Sequence, residues 1–220
     1  VFGRVILALL IQTGGLGFTS MGAGLMLAAR RRMGFKSRLM IKEALNVDNF
    51  KGIVKMLRAI LLMTLIFETV GVVLSFPVFV QDYPPLKALG ISVFHSISSF
   101  NNAGFDILGG GTSLAPYRTN VMLNLVTSFL IIFGGLGFLV ILDVLKQRSF
   151  KKLTLHSKVV LSTTLALLAL GTVAFRFTEH LPWIGAFFNS VSARTAGFAT
   201  YSLGDFSNAG LVVMILLMFI

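Results

Sequence analysis

The chain has 220 residues, 55% of them hydrophobic and 12% charged, with a mean hydropathy of +0.88. Water-soluble globules carry about a quarter charged residues, so this composition excludes one and points to an integral membrane protein. The net charge of +11 would suit nucleic acid, but the charges are too unevenly placed for that, and the lack of cysteine excludes disulfides and thiolate metal sites.

Val1 to Ala29 is apolar except for Arg4 and Gln12, and is long enough to span a bilayer. A basic stretch follows, from Arg30-Arg31-Arg32 to Arg58. Leu57 to Val80 is a second apolar run, interrupted by Glu68 and closed by Pro77, and Gln81-Asp82-Tyr83-Pro84-Pro85 reads as a turn. A third apolar stretch covers 86–105. Gly109-Gly110-Gly111 and Pro116 mark a loop, and Val121 to Leu145 is predicted to span. A second basic stretch runs from Lys146 to Lys158. Val159 to Phe177 is apolar again, Thr178 to Pro182 turns, and a last apolar run begins at Leu211. Both ends of the sequence lie inside apolar runs, so the chain reads as an internal piece of something longer.

Two motifs recur. Phe94-His95-Ser96-Ile97-Ser98-Ser99-Phe100-Asn101-Asn102-Ala103-Gly104-Phe105 returns as Phe187-Phe188-Asn189-Ser190-Val191-Ser192-Ala193-Arg194-Thr195-Ala196-Gly197-Phe198. A gapless alignment pairs Phe94 with Phe187, Ser99 with Ser192, and Ala103-Gly104-Phe105 with Ala196-Gly197-Phe198. The second motif is Leu10-Ile11-Gln12-Thr13-Gly14-Gly15-Leu16-Gly17-Phe18, which returns as Leu130-Ile131-Ile132-Phe133-Gly134-Gly135-Leu136-Gly137-Phe138. Such duplication sets the architecture.

Charge gives the topology. Nine of the 19 Lys and Arg lie in 30–58 and five in 146–158. The positive-inside rule assigns both stretches to the cytoplasm. Loops on one face are separated by an even number of crossings, yet three apolar stretches lie between them. The stretch 86–105, short, rich in Ser and Asn and ending at a glycine, is the one expected to enter and return on the outer face. The predicted fold is therefore an all-α membrane protein of repeated helix–pore loop–helix units, with re-entrant half-helices and extended filter strands. Residues 1–29 are the second helix of repeat one, 30–56 a cytoplasmic basic loop, 57–145 all of repeat two, 146–158 another basic loop, and 159–220 a repeat three cut short in its last helix.

Non-helical backbone at membrane depth is tolerated only where it lines a watery cavity or is buried in protein. Ala88 to Ser99 as a helix reaches about 18 Å, roughly half of a ~30 Å core, and its C-terminal end carries about half a negative charge. Such ends converging on one axis favour a cation. Gly104 and Gly197 allow the backbone to turn its carbonyls toward that axis, and rings of carbonyls are how potassium pores replace a hydration shell. The expected ion ligands are the carbonyls of Asn102, Ala103, Gly104, Thr195, Ala196 and Gly197, supported by Asn101, Phe105, Arg194 and Phe198.

Ser98-Ser99-Phe100-Asn101-Asn102-Ala103-Gly104-Phe105, Ser192-Ala193-Arg194-Thr195-Ala196-Gly197-Phe198 and the two Gly-Gly-Leu-Gly-Phe helices resemble the Trk/Ktr/HKT superfamily of potassium transporters, and most of all the bacterial Ktr-type membrane subunit. The resemblance covers essentially the whole chain. It implies four helix–pore loop–helix repeats around one pore, each giving a filter strand with one key glycine, here Gly104 and Gly197. It implies a potassium uptake subunit of the cell membrane, with sodium as a coupling ion. It also implies a homodimer that docks a cytoplasmic ring of nucleotide-binding regulatory subunits. The family's gate, a loop interrupting the second helix of repeat three, lies at or beyond Ile220.

Several residues have two readings. Arg194 either turns from the axis to tie down neighbouring carbonyls or tunes ion occupancy. Glu68, a carboxylate costing at least ~2.5 kcal/mol at membrane depth unless paired, either bonds pore-helix or loop backbone or attracts ions. Asp143 and Lys146 are expected to pair at the interface. His95, His156 and His180 lack i, i+4 partners and suggest packing rather than metal. The glycines of the second motif permit close helix approach. No Gly-x-Ser-x-Gly, His-Glu-x-x-His or intramembrane carboxylate pair points to an enzyme. The competing function is a secondary carrier with a midplane site for another monovalent cation, but carriers of that design use inverted repeats, whereas these repeats keep one orientation.

Overall fold

The computed structural model describes residues 2–16 and 53–219, and among these every regular element is helical. Eight α-helices follow in order: α1 Phe2–Leu16, α2 Ile53–Phe79, α3 Pro85–Phe100, α4 Val121–Leu136, α5 Phe138–Gln147, α6 Leu155–Thr178, α7 Trp183–Thr195 and α8 Asn208–Met218. Most of the first basic stretch, together with Gly17 and Phe18, lies outside the described residues.

α2 and α6 are each long and apolar enough to cross a bilayer. Their outward faces carry large apolar side chains (Leu62, Leu65 and Val73 on α2, Leu165 and Leu170 on α6), the surface a lipid solvent requires. Pro77 does not close α2, which continues through it to Phe79. A proline near a helix end removes only a single main-chain bond, so the helix runs on through it for its last turn.

α3, at 16 residues, is shorter than α2 and α6 and is not among the helices long enough to cross. The residues flanking its excursion meet at one end of the bundle, where the Tyr117 hydroxyl donates to Asp82 Oδ2 at 2.7 Å and the Tyr117 ring packs edge-on against Phe79. Burial and that carboxylate together push the Tyr117 phenol above its ordinary pKa. α7 repeats the pattern, since Glu179 before it accepts hydrogen bonds from the backbone N–H and hydroxyl of Ser207 after it. Both α3 and α7 therefore leave and return to the same end. α3, at 16 residues or about 24 Å, starts three residues earlier than the sequence suggested.

Each re-entering helix is clamped by the same parts. Ser96 Oγ donates to the Glu68 carbonyl of α2 at 2.7 Å, and Ser190 Oγ to the Leu168 carbonyl of α6 at 3.1 Å. Gly71 and Gly171 sit against those serines, and a Cβ at either would collide with the Oγ atom and with Leu130 or Leu217 behind it. His95 Nε2 lies 2.9 Å from Thr127 Oγ1. Because Thr127 gives its proton to the Leu123 carbonyl, His95 is the donor to Thr127.

The stretch Val121 to Leu145 is not one straight span. It breaks at Gly137 (φ 83°, ψ 145°), and α4 and α5 meet at 94°. A positive φ there is open to glycine at little cost. α5 then reaches the start of α6, where Asp143 Oδ2 accepts from the Thr154 N–H, the Thr154 hydroxyl and the Ser157 hydroxyl at 2.6–2.9 Å. Asp143 thus anchors a helix start, in place of the expected ion pair with Lys146.

Gly71→Val should lower stability by about 1–3 kcal/mol through overpacking. The neutral comparison is Leu65→Val on the outward face. Thermal unfolding in detergent should show a clear drop in midpoint for the first substitution and almost none for the second.

Candidate functional site

The last turn of α3 ends in two left-handed residues, Asn102 (φ 53°) and Gly104 (φ 71°). Asparagine tolerates that region better than other side chains, and glycine is unstrained in it. The Ala103 N–H closes the helix on the Ser98 carbonyl at 2.9 Å. Ser98 Oγ then donates to the Phe105 carbonyl at 2.7 Å, folding the chain back on the helix it has just left. In the second copy Ser192 Oγ donates to the Phe198 carbonyl at 2.5 Å, and the only left-handed residue in that turn is Gly197 (φ 76°).

These bonds correct the gapless alignment of the copies. Ser98, not Ser99, is the counterpart of Ser192, just as Ser96 is the counterpart of Ser190. The second turn is one residue shorter. Phe94 therefore corresponds to Phe188, both buried, while Phe100 corresponds to Arg194. The Gly-Phe pairing is unchanged.

The two turns abut. A Cβ on Gly104 would collide with the Ala196 carbonyl oxygen, so the glycine is required by contact as well as by φ. Among the described residues, none of the carbonyls of Asn102, Ala103, Gly104, Thr195, Ala196 and Gly197 accepts a hydrogen bond, whereas the Phe105 and Phe198 carbonyls that follow each do. Thr195 and Gly197 are exposed, and Asn102, Ala103 and Gly104 are half-buried. The contact of Gly104 with the Ala196 carbonyl brings these two rows of main-chain oxygens together at one surface.

The second motif reaches this site, which the sequence did not reveal. A Cβ on Gly134 would strike the Phe100 carbonyl, and one on Gly135 would come within 3.1 Å of the Asn102 amide. With its amide turned to satisfy its neighbours, Asn102 donates to the Ile131 and Ser99 carbonyls at 3.1 and 3.2 Å and accepts from the Gly135 N–H at 3.2 Å. A Cβ on Gly15, the counterpart of Gly135 in α1, would collide with the Asn101 amide. Gly15 of the first pair and both glycines of the second thus press helical backbone against the turn at the foot of α3.

Asn101 joins three elements. Its Nδ2 donates to the Ile97 carbonyl at 2.9 Å, to Gln12 Oε1 at 3.1 Å and to Glu68 Oε1 at 3.2 Å. Glu68 is therefore held through a side-chain amide rather than the backbone expected for its carboxylate. Arg194 takes the place of Phe100, whose ring stacks on Phe67 at 5.5 Å. Its Nε is buried with no hydrogen-bond partner among the described residues, so the expected tie to neighbouring carbonyls is not made through Nε. No group of His, Asp or Glu that could hold a metal ion occurs among the described residues.

An all-helical membrane protein with a duplicated helix–turn arrangement is the class these features define. Residues 1–184 match the family model TrkH, described as a cation transport protein. The chain is 39% identical to the potassium/sodium uptake protein NtpJ of Enterococcus hirae, over 99% of its own length and 50% of that protein. It is 34% identical to Ktr system potassium uptake protein B of Bacillus subtilis, over 100% and 52% of the two chains, and 34% identical to the protein of that name from Vibrio alginolyticus, over 99% and 50%. The chain belongs to the TrkH family of cation transport proteins. It spans about half the length of the curated relatives it matches.

Asn102→Ala removes three hydrogen bonds at the turn and should lower stability by about 1–3 kcal/mol. Denaturation of the detergent-solubilised protein, followed through a fluorescent reporter, should register the loss. An unchanged midpoint would mean that the amide does not brace the turn.

Proposed function

We propose that the whole protein is the ion-translocating membrane subunit of a potassium uptake system. Its filter is built in part from the carbonyls of Asn102, Ala103 and Gly104 and of Thr195, Ala196 and Gly197. The observation carrying this reading is the row of main-chain oxygens left without donors at two abutting turns. Each turn ends a helix whose negative pole faces it, which favours a cation and disfavours an anion. The relatives named for potassium and for potassium/sodium uptake support the choice of ion. Sodium is the natural candidate for a coupling ion.

Two filter segments do not close a pore. A Cβ on Gly104 would strike Ala196 of the next unit, while the same position at Gly197 faces open space. That handed progression, and the twofold greater length of the relatives, support further units on either side. In the proposed setting the protein is a multi-pass protein of the cell membrane, with 30–58 and 146–158 in the cytoplasm. It works as a homodimer in lipid, with a nucleotide-binding regulatory ring on the basic face. The break at Gly137 resembles the interrupted helices of carriers, but carriers place such breaks in inverted repeats. Here the charge pattern and the Gly-Gly-Leu-Gly-Phe repeat give the units one orientation.

Gly104→Ser, at matched abundance in the membrane, should reduce the preference for potassium over sodium by roughly tenfold, equivalent to about 1.4 kcal/mol. Uptake measured in cells dependent on this protein for potassium would register it. An unaltered preference would favour the carrier.

A further inference from the structure

Glu68 lies deep in α2 without a partner of opposite charge among the described residues. Among those residues it is also the only acidic side chain within α2 and α6, the two helices long enough to cross a bilayer. A carboxylate at that depth is costly unless it is paired. Glu68 is half-buried, and Asn101 Nδ2 meets its carboxylate at 3.2 Å.

Its bonds do not explain its charge. The Asn101 amide has two N–H groups, and the Ile97 carbonyl at 2.9 Å and Gln12 Oε1 at 3.1 Å already supply two neutral acceptors. The carboxylate is a third. The Ser96 hydroxyl binds the main-chain carbonyl of Glu68 rather than its side chain, and the later unit makes the same bond with Leu168. A neutral residue at 68 would therefore serve both the amide and the clamp. What it would lack is the negative charge. Asn101 caps α3, and Asn102 directly after it carries the first carbonyl of the earlier row. Gly15 closes around the Asn101 amide so tightly that a Cβ there would collide with it. The charge is thus held one side chain away from the turn.

We propose that the Glu68 carboxylate, steadied by Asn101, is a fixed negative charge behind the first filter turn that raises the occupancy of that turn by a cation. A charge at membrane depth is little screened, so it acts on an ion that it does not touch. It draws potassium and sodium alike, and so sets affinity rather than the choice between them. The later turn has the opposite arrangement. Leu168 takes the place of Glu68, and Arg194 directly precedes the carbonyls of Thr195, Ala196 and Gly197. The inference rests on the proposed function, because it needs those carbonyls to receive the ion.

The experiment introduces Glu68→Gln into the full-length protein, in cells that depend on it for potassium, and measures uptake against external potassium at matched abundance. The side chain keeps its length and an oxygen for Asn101 but loses its charge. KM should rise about tenfold, with the preference for potassium over sodium unchanged. The thermal midpoint of the purified variant in detergent should stay the same or rise, because a costly charge is gone. An unshifted KM would overturn the inference. So would an altered preference or a lowered midpoint, since the carboxylate would then be shaping the turn or supporting the fold. Wild-type protein that took up no potassium would instead overturn the proposed function, and the inference with it.

Discussion

A serine hydroxyl bound to a main-chain carbonyl a few residues later is the contact on which the site depends. In a bilayer, a chain that stops being helical exposes N–H and C=O groups that water cannot reach. Ser98 and Ser192 answer this by donating to the Phe105 and Phe198 carbonyls, which pins the returning strand to the helix that delivered it. Once that bond is made, the carbonyls between its two ends lie on the outside of a tight turn. The Ser99 carbonyl accepts from the Asn102 N–H, while those of Asn102, Ala103, Gly104, Thr195, Ala196 and Gly197 accept no hydrogen bond among the described residues. The two abutting turns therefore bring together main-chain oxygens that accept no hydrogen bond among the described residues, which is the arrangement the proposed filter uses.

The remaining elements bring that turn to depth and keep it there. Ser96 and Ser190 tie the re-entering helices to α2 and α6, and Gly71 and Gly171 make room for the tie. The Gly-Gly pairs let α1 and α4 approach the turn at the foot of α3 from two sides. The units differ where charge is concerned. Glu68, held by Asn101, stands where the later unit has Leu168, and Arg194 stands where the earlier unit has Phe100. The two near-copies thus have an acidic side chain beside one turn and a basic one beside the other.

Much of this was legible in the residues, for reasons that are physical. Gly104 and Gly197 could be singled out because a positive φ favours the missing Cβ, and at Gly104 a close approach to the Ala196 carbonyl requires it as well. The re-entry of 86–105 followed from counting crossings between basic stretches, and the meeting of Asp82 with Tyr117 agrees with a chain that turns back. Other features were hidden. Ser98 and Ser99 are the same residue type, so a one-residue difference in turn length left no mark on the sequence. Gly137 looked like its packing neighbours Gly134 and Gly135, although it alone carries the 94° break. Asp143 lay near Lys146 in sequence, but three donors at the start of α6 outweigh one exposed lysine.

The account stands on the claim that α3 enters and returns without crossing. Single cysteines placed at Arg38 and at Lys152 in the full-length protein, which has no other cysteine in this region, would be labelled with a membrane-impermeant maleimide in right-side-out and inverted vesicles. Both should react only in inverted vesicles. Labelling of the two positions from opposite faces would contradict the re-entrant fold and the filter proposed from it.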